Sequence, residues 1–264
     1  MIENFSSKVK GYLGQLVRRK APAKKYSGSS TEYEILNCQK ETCEKLDGWN
    51  DVTVSELQDA AYSILIKQMY EGNPRDDLVA AANAIRALGA MNPSVLDVGC
   101  GSGYYSEILM YLLQHPIRYV GIDYSRSMIH LARKRYPDKL FLIADAASLP
   151  FGKNEFDIVF NGVSLMHIIR YEEAIAESHR VANRGCIFHS VPLLIHRNTT
   201  ILRKKAYGGF TSEIIFNEGE LISIFNRKGL FVRCEFVDTI PYNLQRVLGE
   251  PTVIKTFLCE VAKN

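Results

Sequence analysis

Paired cysteines, long apolar runs and a dominant charge are all missing from this chain of 264 residues. Its six cysteines, Cys38, Cys43, Cys100, Cys186, Cys234 and Cys259, include no CxxC pair, and none stands with histidines at a zinc spacing. No metal is therefore expected. Cysteines in apolar surroundings, as in Gly99-Cys100-Gly101 and Gly185-Cys186-Ile187-Phe188, read as small core hydrophobes, and Cys38 and Cys43 read as two reduced thiols on a helix. No stretch approaches the roughly 20 apolar residues that a membrane-spanning helix needs. Met1 to Lys20 intersperses lysines with apolar residues and lacks the continuous apolar core of a secretory signal, so a cytoplasmic protein is expected. The net charge of +3 is too small to require a nucleic-acid partner.

Hydrophobic residues make up 47% of the chain and charged residues 23%, enough for a sizeable core. The length suits one α/β domain with a smaller appendage, and the pattern divides them at residue 90. Residues 1–90 read as a helical cap or substrate segment. At its start, Lys8, Lys10, Arg18, Arg19, Lys20, Lys24 and Lys25 oppose Glu3 alone, while Ile2, Phe5, Val9, Tyr12, Leu13, Leu16 and Val17 recur at helical spacing. This basic amphipathic helix is read as a lid or packed helix, with weak contact to a membrane surface as the alternative. A linker over 21–30 follows, then helices over 32–46, 53–70 and 76–88, the last ended by Gly89.

From Pro93 the pattern changes. Apolar strands at 95–98, 119–122, 140–144, 156–160 and 186–191 alternate with helices near 103–114, 126–136 and 171–182, the signature of a parallel sheet covered on both faces. Asn217-Glu218-Gly219-Glu220 forms a capping box before a helix ended by Gly229, and strands over 230–237 and 252–261 close the sheet as an antiparallel pair. Residues 91–264 are thus expected to form a doubly wound, mostly parallel seven-stranded sheet with an antiparallel last strand.

The chemistry concentrates at strand ends. Val95-Leu96-Asp97-Val98-Gly99-Cys100-Gly101-Ser102-Gly103 is a buried strand, an acid and a glycine-rich turn opening a helix. The spacing is GxGxG, with Tyr104 where a dinucleotide fingerprint places its third glycine. An acid two residues ahead of the turn repels a pyrophosphate and suits a cationic ligand, which argues against a nicotinamide-dependent oxidoreductase. Asp123 ends the next strand, where an acid accepts hydrogen bonds from ribose hydroxyls. Asp145, followed by Ala146, ends the third strand, where it can accept from an adenine amine. Asn161 ends the fourth, facing the same crevice, with His167 shortly after it as a candidate general base. Tyr124 covers an adenine face or packs at a helix start; Tyr104 and Tyr105 line the ligand or pack.

Asp97-x-Gly99-x-Gly101-x-Gly103 resembles motif I of the class I, Rossmann-like S-adenosylmethionine (SAM) dependent methyltransferases. Asp123 matches that superfamily's ribose-binding acid and Asp145 its adenine-contacting acid. Leu149-Pro150-Phe151 with Phe156-Asp157-Ile158-Val159, and Glu177-x-x-Arg180-Val181 before Gly185, resemble the approaches to its fourth and fifth strands. The likeness covers about 93–191 and is closest to the small-molecule branch. Asn161-Gly162-Val163-Ser164 departs from the Asn-Pro-Pro-Tyr of enzymes that methylate nucleobase amines, which disfavours that activity. The resemblance implies SAM as cofactor, held by Asp97, Gly99, Cys100, Gly101, Gly103, Tyr104, Asp123, Tyr124, Asp145, Ala146 and Asn161. It also implies metal-independent in-line transfer to a small-molecule acceptor, with an oxygen nucleophile preferred. A non-catalytic SAM-binding module and an RNA methyltransferase are the alternative readings.

Overall fold

The computed structural model describes residues 33–36, 48–206, 209–238, 242 and 244–262. The basic helix and linker expected before residue 31, and Cys38 and Cys43, lie outside the described residues. The helix expected over 32–46 is overturned where it can be read: Tyr33–Ile35 form a short strand, β1, so the segment before residue 90 is not wholly helical.

Two helices come next. Asp51 caps α1 (Val52–Tyr70) by accepting from the Thr53 and Val54 amides, and α2 (Asp76–Ala87) opens on two acids that favour its N-terminus. The alternation then runs β2 (Ser94–Val98), α3 (Tyr104–Leu113), β3 (Arg118–Asp123), α4 (Arg126–Arg135), β4 (Leu140–Ile143), β5 (Phe156–Gly162), α5 (Tyr171–Val181) and β6 (Ala182–Leu194). Beyond β6 lie a hairpin, β7 (Thr200–Ala206) and β8 (Gly209–Asn217), then α6 (Glu218–Arg227), β9 (Leu230–Val237), the short α7 (Gln245–Leu248) and β10 (Val253–Val261).

The expected seven strands form the body of the sheet in the order β4-β3-β2-β5-β6-β10-β9, with β10 antiparallel to both neighbours. Three more strands were not anticipated. The β7–β8 hairpin joins through two residue pairs at the far end of β6, and β1 pairs antiparallel with β7. The thirteen-residue β6 makes this extension possible: its first part pairs β5, and its last residues reach β8.

Both faces of the sheet are covered, which is why its strands read as continuous apolar runs. Leu96, Val98 and Val159 pack with Ile175 of α5 and Leu221 and Phe225 of α6. Val95, Ile158, Phe160 and Ile187 pack with Leu78 of α2, Ile108 of α3 and Ile129 of α4. The period of two along β2 therefore aims Asp97 at the same layer as Val95. The capping box at Asn217 is half formed. The Asn217 side chain accepts from the Glu220 amide at 3.0 Å, but Glu220 turns to Thr199, whose Oγ1 it accepts from at 2.6 Å. That contact ties α6 to the start of β7.

Candidate functional site

The carboxyl ends of β2, β3, β4 and β5 open into a cavity of about 600 Å³, the place where open α/β sheets bind ligands. Its floor is the glycine turn. Gly99, Gly101 and Gly103 have φ of +75°, +55° and +80°, conformations that side chains resist. A Cβ on Gly99 would lie 2.4 Å from Ser164 Cβ, so β2 and the loop after β5 touch only because that atom is missing.

Asp123 lines the cavity at the end of β3. Its Oδ2 accepts from the Gly101 amide at 2.9 Å and its Oδ1 from the Ser125 amide at 2.8 Å. Burial pushes its carboxyl up to about 6, against the pull of the amides of Ser125, Gly101 and Tyr124. The helix cap here is Ser125, which accepts from the Met128 amide. Asp145 and Ala146 line the cavity after β4, and Asp145 accepts from the Ala147 amide at 2.8 Å and from Arg170. Tyr124 is about half exposed at the rim.

Four residues expected at the cofactor lie off the cavity wall. Asp97, Cys100, Gly103 and Asn161 are behind it, and the wall beside them is Gly99, Gly101, Gly162 and Ser164. Asp97 is fully buried; its Oδ2 accepts from the Tyr119 hydroxyl at 2.5 Å, and the Gly162 backbone also bonds it. It bolts β2 to β3 and β5. Burial raises its carboxyl to about 7, with the neighbouring Asp123 charge adding to the rise. Asn161 points into the opposite layer, where its amide reaches Ser178 Oγ at 3.5 Å. The strand period puts Gly162 rather than Asn161 at the opening.

The roof comes from α1 and α2, where Tyr62 is one of the aromatics that could line a pocket or pack in the core, while Gln58, Arg75 and Asp77 are not among the residues expected at the site. Tyr62 stacks on Tyr104 with centroids 3.4 Å apart. Gln58 faces the glycine turn, its Oε1 3.4 Å from where a Gly101 Cβ would stand, and this buried oxygen has no hydrogen-bond partner among the described residues. Arg75 meets Asp77 through two hydrogen bonds of 2.5 and 2.6 Å, and its third nitrogen, Nη1, is buried without a partner among the described residues. Asp77 holds the guanidinium charged despite its burial. The signal available in the sequence was Arg75-Asp76-Asp77 directly after the Gly72-Asn73-Pro74 break.

His167 lies at the opposite end, on a 3₁₀ turn, Leu165–His167. Its Nδ1 is 2.8 Å from the Ser212 carbonyl of β8. A carbonyl only accepts, so Nδ1 carries the hydrogen and Nε2 keeps its lone pair. Burial holds the imidazole below its usual pKa; the Glu213 charge pulls it upward and Lys204 downward. The ring therefore stays neutral at pH 7. Trp49 packs edge-on against it at 4.9 Å. No group of three or more His, Cys, Asp or Glu among the described residues is arranged to hold a metal ion.

Residues 96–189 match a family model described as a methyltransferase domain. A demethylmenaquinone methyltransferase of Chlorobaculum tepidum is 31% identical over 132 residues, 49% of this chain and 52% of that protein. A malonyl-[acyl-carrier protein] O-methyltransferase of Hamiltonella defensa is 32% identical over 91 residues, 34% of each chain. The match thus spans about half the length of such relatives or less. Among solved structures, the 1,6-didemethyltoxoflavin-N1-methyltransferase of Burkholderia thailandensis, with bound 1,6-didemethyltoxoflavin and S-adenosylhomocysteine, superposes with a TM-score of 0.56 at 16% identity over 90% of this chain and 99% of that one. A SAM-dependent methyltransferase of Methanosarcina mazei gives 0.53 at 18% identity over 68% and 97%. Residues 96–189 thus resemble a methyltransferase domain, and the fold around them is the one these solved methyltransferases share.

Proposed function

We propose that this chain transfers a methyl group from SAM to an oxygen of a small-molecule acceptor, without a metal. The observation that carries the cofactor half of this reading is a pair of buried atoms on the cavity roof that have no hydrogen-bond partner among the described residues. Gln58 Oε1 accepts only and Arg75 Nη1 donates only. They complement the ammonium and the carboxylate of an amino-acid end. Asp123 has accepting capacity left for ribose hydroxyls beyond its bonds to backbone amides. Asp145 and Ala146 stand where the adenine edge would lie, with Ile122, Met128 and Ala144 as its apolar walls. Asp97 and Gly103 act on this site from behind it, by holding the turn in shape. The curated relatives named for quinone and carrier-protein acceptors support transfer to small molecules rather than to nucleic acid.

Bound SAM supplies an electrophilic methyl group. The chain's own work is to enclose the acceptor, exclude water and align it, effects that contribute about 7–11 kcal/mol where the geometry is right. His167 is the general base: neutral at pH 7 and with Nε2 unprotonated, it can take the hydroxyl proton of the acceptor.

Calorimetry with S-adenosylhomocysteine tests the cofactor half. The parent chain binds it, and Asp123→Ala weakens binding by on the order of 2–3 kcal/mol, the worth of a charge-assisted pair of hydrogen bonds. Equal affinity in the two proteins removes Asp123 from the site, and no binding to the parent sinks the reading. Release of tritiated methyl into small-molecule extracts, absent with Asp123→Ala, separates an enzyme from a SAM-binding module.

A further inference from the structure

The β7–β8 hairpin contributes a second polar wall to the cavity, and the cofactor reading leaves it unused. Thr211 and Glu213 are two residues apart on β8, so both side chains leave the same face of the strand. That face lines the cavity together with Lys204 of β7 and with Tyr242. Glu213 is fully buried, directly ahead of the apolar run Ile214-Ile215-Phe216. Its Oε2 meets Lys204 Nζ at 2.7 Å, an ion pair that offsets the cost of burying the charge. Glu213 Oε1, Thr211 Oγ1 and the Tyr242 hydroxyl are buried and have no hydrogen-bond partner among the described residues.

Three such atoms on one wall are costly. Each unsatisfied buried polar group gives up its hydration without a replacement, and native structures hold few of them. A ligand that supplies the missing partners recovers that energy. The chemistry of the wall defines the ligand. Glu213 can only accept, so the group opposite it must donate. A carboxylate there would face a buried negative charge, and the Lys204 ammonium beside it is already paired with Glu213. The ring systems of Trp49 and Tyr242 and the side chains of Met166 and Ile168 make the remaining lining flat and apolar. His167 is fixed to this wall through the Ser212 carbonyl, so the base and the polar wall share one strand.

We infer that the inner face of β8 is the acceptor subsite, and that it selects an uncharged, flat ring compound with two separated donor groups, N–H or O–H, one held by Glu213 and the other presented to His167. This rests on the methyltransferase reading for its function but not for its binding chemistry. Thr211 and Tyr242 hold the same donor-bearing edge as Glu213. Neither they nor Glu213 exchange protons with the acceptor; they set which molecules enter and which hydroxyl meets the base.

Three naphthalenes of matched shape test this by calorimetry, each titrated with and without S-adenosylhomocysteine: 2,7-dihydroxynaphthalene, 2,7-dimethoxynaphthalene and 2-naphthoate. The parent chain is expected to bind the diol at least tenfold tighter than either of the others. Glu213→Gln removes that preference while S-adenosylhomocysteine affinity stays within twofold. Thr211→Val and Tyr242→Phe, which keep the shape and delete one polar atom each, weaken the diol three- to tenfold, leave the dimethoxy compound unchanged and raise the melting temperature of the unliganded protein. A merely structural role for these residues would lower it. The inference is overturned if none of the three rings binds at millimolar concentration, if the carboxylate or the dimethoxy compound binds as well as the diol, or if the preference survives Glu213→Gln. Failure of S-adenosylhomocysteine to bind the parent counts against the cofactor reading instead, because the nucleoside-free titrations still judge the subsite.

Discussion

The two sides of the cavity differ in who satisfies their polar atoms. On the sheet-end side, Asp123, Asp145 and Ser164 are each held by the chain's own backbone, through Gly101 and Ser125, through Ala147, and through the Val98 carbonyl. On the walls added to the sheet, by α1 and α2 above and by β7–β8 at the far end, Gln58, Arg75, Thr211, Glu213 and Tyr242 keep atoms with no partner among the described residues. Where it lines the cavity, the first side is a framework anchored by the chain's own backbone. The second is incomplete, and the identity of its missing partners defines the ligand. In the proposed reading the cofactor spans both, its nucleoside on the framework and its amino-acid end under α1 and α2, while the acceptor falls to the β7–β8 wall.

Gly99→Ala should break the framework outright. It places a Cβ 2.4 Å from Ser164 Cβ at a φ of +75°. Left-handed strain and overpacking together predict a loss of about 3–5 kcal/mol in urea denaturation. A loss below about 1 kcal/mol would mean that the loop after β5 yields freely.

Asp97→Asn sharpens the same side by showing what a framework carboxyl costs. Burial raises the Asp97 pKa from 3.8 to about 7. The folded chain therefore binds that proton more tightly than the unfolded chain, and stability is greatest at low pH and declines as pH rises through that window. From pH 4 to pH 8 the parent should lose on the order of 3–4 kcal/mol that the asparagine variant retains. Identical pH slopes in the two proteins would show that the carboxyl titrates as it does in solvent. His189, whose pKa burial lowers to about 4, works in the other direction below about pH 6.5 and limits how far acid stabilises the parent.

On the far wall, His167→Gln should lower turnover of a hydroxyl acceptor by about a hundredfold, the lower end of general-base effects, with S-adenosylhomocysteine affinity unchanged. The acidic limb of the parent's rate profile should lie below pH 6.5, because burial holds the imidazole down. A variant with the parent's rate throughout would remove the base. The smallest effect is reserved for the rim. Arg170→Gln deletes a half-exposed pair with Asp145 and should cost under about 1 kcal/mol of stability.

Much of the framework was legible in the sequence because its signals are local. Strand runs, the glycine spacing and the acids at strand ends all fall within a few residues of what they position, and Asp123 and Asp145 stand at the cavity as their places imply. Asp97 and Asn161 were harder: their motif positions are evident, but the strand period turns both away from the opening. The walls were opaque for a different reason. Glu213 matters through Lys204, nine residues away across a hairpin, and through His167, whose Nδ1 bonds the carbonyl of the preceding residue, Ser212. Arg75 is a lone base ahead of two acids at a helix start, and nothing local marks it as a wall residue. Tyr33–Ile35 looked helical and became a strand because β7 offers it an edge, a partner that composition alone does not announce.

The hydrogen bond from the Gly101 amide to Asp123 turns one proton into a gauge of the whole floor. Its nuclear resonance should move as Asp123 ionises near pH 6, and its exchange with deuterium should slow whenever a guest grips the carboxylate from the other side. An amide that no substrate needs to touch would thus report occupancy before any acceptor is known.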